Sequence, residues 1–150
     1  MDPVLARVLV NLSALKPGEN ILDPFCGTGG ILIEAGLCGI RVNGFDMQKG
    51  MVKGCKKNLE EYGIINYDIR EKEVSKISKT ELNNYNAIVT DLPYGQSSKK
   101  TGKAVEEFLN VLKSFNGACV FMYNESNLGD LEADFSIYVH KNLTRYIYVI

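Results

Sequence analysis

A glycine turn set between an apolar run and a helix restricts this chain most: Asn20-Ile21-Leu22-Asp23 leads straight into Pro24-Phe25-Cys26-Gly27-Thr28-Gly29-Gly30, and residues 31–37 follow with helical character. A short strand, a tight turn and a helix in that order open a βαβ unit. The turn then sits at the C-terminal end of a parallel strand, and the helix crosses back over the sheet. The alternation continues downstream. Arg41–Asp46 reads as a second strand closing on an acid, residues 48–62 as a basic-faced helix stopped by Gly63, and residues 64–69 as a third strand leading to Glu71-Lys72-Glu73-Val74. Residues 86–91 form an apolar strand ending in Asp91-Leu92-Pro93-Tyr94-Gly95, residues 104–115 a helix, and residues 117–123 a fifth strand.

Two ends frame this core. Asp2-Pro3 is an N-cap followed by proline at the first helical position, and Val4, Leu5, Val8, Leu9 and Leu12 recur at helical spacing until Lys16-Pro17-Gly18-Glu19 breaks the run. Residues 135–139 and 143–149 are β-rich runs joined by Lys141-Asn142, an antiparallel hairpin at the sheet edge, with Tyr138, Tyr146 and Tyr148 packing that hairpin. The predicted fold is α/β, a doubly wound and mostly parallel sheet in one domain of 150 residues. In such sheets ligands bind outside the carboxyl ends of the strands, where the glycine turn, Asp46, Glu73 and Asp91 all fall.

The acid at position 23 narrows what the glycine turn can hold. A carboxylate just before the turn repels the pyrophosphate that a dinucleotide places at a helix N-terminus. It suits a cofactor bearing positive charge, such as S-adenosylmethionine with its ammonium and sulfonium. Asp46 lies where an acid accepts hydrogen bonds from ribose hydroxyls, a use that NAD shares, and capping of the next helix is its alternative role. Glu73 either reaches an adenine amino group or is a solvated acid among Lys72 and Lys76. Asp91 and a neighbouring loop carbonyl can accept the hydrogens of an exocyclic amine, and Tyr94 can stack a base, while turn capping is the plain alternative.

Seventeen Lys and Arg against eighteen Asp and Glu leave a net charge of -1, so no general polyanion footprint is present. Lys49, Lys53, Lys56 and Lys57 read as a solvated helix face, and Lys99, Lys100 and Lys103 either meet phosphates near the site or belong to a flexible loop, with Gln96-Ser97-Ser98 as part of a substrate lid. Cys26, Cys38, Cys55 and Cys119 form no CxxC pair, and one histidine, His140, does not complete a metal set, so no metal is expected. Single thiols in apolar stretches suit a reducing compartment, and no apolar run reaches a membrane span, so a cytoplasmic location is expected.

The stretch from Asp23 through Gly36 together with Asp91-Leu92-Pro93-Tyr94-Gly95 resembles the class I methyltransferases that act on RNA amino groups, above all the tRNA guanosine-N(2) methyltransferases that modify position ten. The opening helix and the closing Leu143-Thr144-Arg145-Tyr146-Ile147-Tyr148 extend the resemblance over nearly the whole chain. It implies a Rossmann-like fold with a seven-stranded sheet, and S-adenosylmethionine held by Asp23, Pro24, Phe25, Cys26, Gly27, Thr28, Gly29, Asp46, Met47, Glu73 and Asp91. Catalysis falls to Asp91, Leu92, Pro93 and Tyr94, and Arg7 faces either the cofactor carboxylate or solvent.

The family usually has proline where Leu92 stands, Asp-Ala near Glu73-Val74, and an N-terminal THUMP-containing region that recruits tRNA. No such region is expected in this chain, so a recruitment domain or partner, and an activating subunit over an apolar edge, enter as expected partners beside tRNA. Methyltransferases for adenine amines or protein glutamine generally have asparagine at the position of Asp91. A non-catalytic RNA-binding module and a nicotinamide-dependent oxidoreductase complete the alternatives.

Overall fold

The structure, a computed structural model, describes the backbone of residues 1–94 and 99–150 and the side chains of residues 1–94 and 102–150. Its strands are β1 (Asn20–Asp23), β2 (Arg41–Asp46), β3 (Tyr67–Glu71), β4 (Ala87–Asp91), β5 (Ala118–Tyr123), β6 (Asn127–Leu128), β7 (Leu131–Glu132), β8 (Phe135–His140) and β9 (Leu143–Val149). The helices are α1 (Pro3–Leu12), α2 (Gly30–Leu37), α3 (Lys49–Glu61), α4 (Lys79–Leu82) and α5 (Lys99–Leu112), with a 3-10 turn over Val74–Lys76.

Seven strands form one sheet in the order β3-β2-β1-β4-β5-β9-β8. The first five are parallel, β9 is antiparallel to β5, and β8 is antiparallel to β9. This is the doubly wound sheet with an antiparallel C-terminal hairpin that the sequence predicts. Successive strand side chains alternate between faces, and the core divides accordingly. Ile21, Val42, Val89, Met122 and Ile147 pack under α1, α2 and α3, whereas Leu22, Ile88, Phe121 and Tyr148 pack under α4 and α5. Asp2 caps α1 as expected, accepting from the Val4 and Leu5 amides at 2.9 and 3.2 Å.

Departures from the sequence reading have local causes. The third strand starts at Tyr67 rather than residue 64 because Ile64 closes α3: Gly63 is left-handed (φ 71°), the Ile64 amide donates to the Leu59 carbonyl at 2.9 Å, and the Gly63 amide donates to Glu60 at 2.9 Å. That is a Schellman ending, and Ile64 is its hydrophobic contact. Ile65 is 87% exposed. Helix α5 begins at Lys99, five residues before its apolar periodicity is visible, since Lys and Thr are tolerated in a helix without contributing to an apolar pattern. The small antiparallel pair β6-β7 is an addition to the expected elements.

The three hairpin tyrosines do not behave alike. Tyr138 stands 72% exposed on edge strand β8, while Tyr148 is fully buried, stacked on Phe121 with ring centroids 4.5 Å apart, its hydroxyl donating to the Glu125 carbonyl at 2.7 Å. Tyr148 is thus a core residue because β9 lies inside the sheet, between β5 and β8, rather than at its rim. No helix among the described residues is long and apolar enough to cross a membrane.

Candidate active site

The strand order reverses between β1 and β4, and this switch point gathers the candidate residues. Thr90 Oγ1 donates to Asp23 Oδ1 at 2.6 Å, and the Phe25 amide donates to the same oxygen at 3.1 Å. Asp23 is only 2% exposed. Burial pushes its carboxyl up to about 7, the charges of Asp91 and Asp46 push the same way, and the two hydrogen bonds oppose them. Three acids therefore share one edge of the sheet within electrostatic reach of one another.

The glycine turn is held by its own backbone. The Cys26 amide donates to the Phe45 carbonyl at 2.9 Å and the Gly29 amide to the Cys26 carbonyl at 2.8 Å. Gly27 and Gly29 have φ of 50° and 91°, a region that side chains disfavour, and a Cβ at Gly29 would stand 2.7 Å from Cys55 Sγ. At Gly27, by contrast, a Cβ would meet nothing within 4 Å. Asp46 faces that opening: its Oδ2 accepts from the Gly27 amide at 3.1 Å and its Oδ1 from the Gln48 amide at 2.8 Å. It does not cap α3, whose N-cap is Gln48.

The other predicted cofactor contacts divide. Pro24 is buried, and Phe25 is half-buried with its ring 6.1 Å from that of Phe108. Exposed Thr28 lends its carbonyl to Asn58 Nδ2 at 2.9 Å, which ties the turn to α3. Met47 stands 65% exposed beside Asp46. Glu73 lies past β3, ahead of the 3-10 turn, and its described partner is Lys76 at 3.6 Å. Arg7 pairs with Glu34 of α2 at 2.7 Å, so that contact binds two helices together.

Beyond β4 the chain presents Asp91, a quarter exposed, with its carboxylate paired to Arg145 Nη2. Burial raises the Asp91 carboxyl, and the Arg145 charge and hydrogen bond oppose that. Leu92 is fully buried among Val105, Phe108 and Phe121, with its amide donating to the Met122 carbonyl at 2.9 Å. Its side chain belongs to the core, which leaves only the backbone of that position for any contact with a ligand. Pro93 is half-buried, and Tyr94 is 48% exposed with the Arg145 guanidinium 3.8 Å from its ring centroid. Gly95, Gln96, Ser97 and Ser98, and the side chains of Lys99 and Lys100, lie outside the described residues. Lys103 pairs with Glu107 at 3.5 Å.

Thr90 and Arg145 are the residues that sequence reasoning missed. Each left a signal: Thr90 is a hydroxyl in the apolar run Ala87-Ile88-Val89-Thr90, and Arg145 shares the alternation phase of buried Ile147.

Residues 1–131 match the family model described as UPF0020, RMKL-like, methyltransferase domain. A protein of Methanocaldococcus jannaschii named tRNA (guanine(10)-N2)-dimethyltransferase is 44% identical over 99% of this chain and 45% of its own length. A probable enzyme of the same name from Methanothermococcus thermolithotrophicus is 42% identical over 97% of this chain and 96% of its own. The chain spans about half the length of the first curated relatives it matches. Among solved structures, TrmN from Thermus thermophilus superposes with a TM-score of 0.76 at 20% identity, over 99% of this chain and 48% of that one. An RNA methyltransferase from Salinibacter ruber, solved with S-adenosyl-L-homocysteine, gives 0.70 at 17% over 100% and 92%. These likenesses carry the fold, and with the matched domain they place the chain in the UPF0020 RMKL-like methyltransferase domain family.

Proposed function

We propose that this domain transfers a methyl group from S-adenosylmethionine to the exocyclic N2 amine of a guanine in tRNA. The observation that carries the reading is the meeting of Asp23, Asp46 and Asp91 at the β1/β4 switch point beside an open glycine turn. The residues fit the cofactor. Negative charge gathers where its ammonium and sulfonium would lie, nothing stands within 4 Å of where a Cβ would project from Gly27, and Asp46 stands at the ribose position with exposed Met47 next to it. Pyrophosphate would be repelled at the same place.

S-adenosylmethionine supplies a methyl carbon made electrophilic by the attached sulfonium. The chain supplies orientation. Asp91 accepts a hydrogen bond from the amine and the Leu92 carbonyl accepts the other, which draws the nitrogen lone pair out of conjugation with the ring. Tyr94 stacks the base, a contact worth about 1–3 kcal/mol. With the cofactor bound, its sulfonium would leave as the thioether while the N–C bond forms, and Asp91 or water would take the surplus proton from the nitrogen. Aspartate rather than asparagine at position 91 favours guanine over adenine amines.

The near-neutral charge of the chain, and its spanning about half the length of the first relatives, support capture of tRNA by a region or partner outside these 150 residues. Calorimetric titration with S-adenosylhomocysteine, followed by methylation of unmodified tRNA and nucleoside analysis, tests the proposal. Binding with N2-methylguanosine as product supports it. Absence of cofactor binding overturns it, and methylation of adenine instead overturns the substrate.

A further inference from the structure

We propose that Arg145 is a positioning residue of the reaction centre, fixing the Asp91 carboxylate and backing the Tyr94 ring so that both face the incoming base; this rests on the reading of Asp91 and Tyr94 given above. The topology explains how a residue 54 positions away arrives there. Because β9 runs antiparallel to β5, the N-terminal end of β9 lies at the edge where the parallel strands end. Its register puts Tyr146 opposite Tyr123, the last residue of β5, so Arg145 sits just beyond, in the same phase as Ile147, which pairs with Met122 beside Asp91.

Three observations separate this from an ordinary stabilising ion pair. Arg145 is 3% exposed, so it is a full charge inside the protein. Its one guanidinium serves both candidate residues, Nη2 on Asp91 Oδ1 and the plane 3.8 Å from the Tyr94 centroid. Its Nε is buried with no hydrogen-bond partner among the described residues, a cost accepted where the fork is placed for its neighbours rather than for itself. With Oδ1 held, Oδ2 is turned to the amine, and the exposed face of Tyr94 is the one left for a base. Asp91 also lies near Asp23 and the Met1 amino group, so Arg145 is the closest of the charges that decide whether it is ionised. A protonated Asp91 would offer a donor where an acceptor is needed.

The test compares Arg145→Gln, Arg145→Lys and Asp91→Asn for single-turnover methyl transfer to saturating unmodified tRNA across pH 5.5 to 9, with S-adenosylhomocysteine affinity and thermal melting as fold controls. Arg145→Gln is expected to lower kcat about 10²-fold. It should also move the acid limb of the rate profile up by about one unit or more, since the nearest opposite charge is gone. Cofactor affinity should be unchanged. Arg145→Lys keeps the charge and loses the planar fork, so the acid limb returns to its wild-type place while kcat stays about tenfold low. An unchanged kcat and acid limb in Arg145→Gln overturns the inference. Should that variant not fold, Arg145→Lys decides it, and a kcat within twofold of wild type overturns it. Transfer that survives in Asp91→Asn removes the Asp91 assignment itself, whereas transfer lost in Asp91→Asn but intact in both Arg145 variants removes only the role of Arg145.

Discussion

The two halves of the candidate site are built differently. On the β1/β2 side the turn is held by backbone amides over a short span, and Asp23 and Asp46 spend their oxygens on amides and on the Thr90 hydroxyl. On the β4 side Asp91 is held by a cation delivered from the last strand, through a contact between side chains. On the proposed reading, the first arrangement is the cofactor side and the second sets its fixed charge at the amine; in the second, loss of one partner leaves the other buried and uncompensated.

Substitutions on the two sides should therefore fail in different ways. Asp91→Ala should lower kcat by about 10²- to 10⁴-fold while S-adenosylhomocysteine affinity stays within about twofold, read by single-turnover rates and calorimetry. Equal losses in both would merge the two halves into one. Asp23→Asn should act through stability. Its carboxyl stands at about 7 in the folded protein against 3.8 unfolded, so the folded state binds more protons between those values and stability falls as pH rises from about 4 to about 7, remaining low above. Asparagine still accepts from Thr90 and Phe25 without a charge. The unfolding free energy of the variant should match wild type near pH 4 and exceed it at pH 8, with a gap of up to about 4 kcal/mol from the pKa difference, read by denaturant unfolding. A constant gap across pH would mean that Asp23 is ionised throughout.

Smaller effects sharpen the same contrast. Asp46→Ala should weaken S-adenosylhomocysteine about tenfold, the loss of hydrogen bonds to one charged group, and leave kcat at saturating cofactor nearly intact. Gly29→Ala forces a side chain into φ 91° and against Cys55 Sγ, and should cost about 1–3 kcal/mol in denaturant unfolding, whereas Gly27→Ala has strain without a clash and should cost less. If the two alanines cost the same, the space over Gly27 is not open.

The contrast also marks what the sequence made legible. The β1/β2 side is written in nearby residues: a strand, a turn needing left-handed glycines, a helix, and Asp46 19 positions beyond Gly27. Local rules recover it, and the doubly wound topology follows from the same alternation. Asp91 and Tyr94 are legible for the same reason, as the tip of an apolar strand. Arg145 is not, because only the insertion of β9 between β5 and β8 brings it there, and strand order is a long-range property that a run of alternating residues does not encode. The same insertion buried Tyr148 and left Tyr138 outside. Flanked by Asp91 and Pro93, Leu92 reads as part of the tip, and the burial of its side chain in the lower core leaves that reading to its backbone alone. Ile64 reads as strand because a helix-closing contact and a strand onset are both a single apolar residue after glycine.

The family match ends at residue 131, on β7, ahead of both strands of the terminal hairpin. A chain cut at that boundary would keep every residue of the glycine turn and all three acids. It would also open β5 along its whole length, strip the cover from Phe121 and leave the carboxylate of Asp91 without its counter-ion. If Asp91 and Arg145 have the proposed roles, the border of the family match falls one hairpin short of the residues the site uses, and truncations meant to test it need to keep β8 and β9.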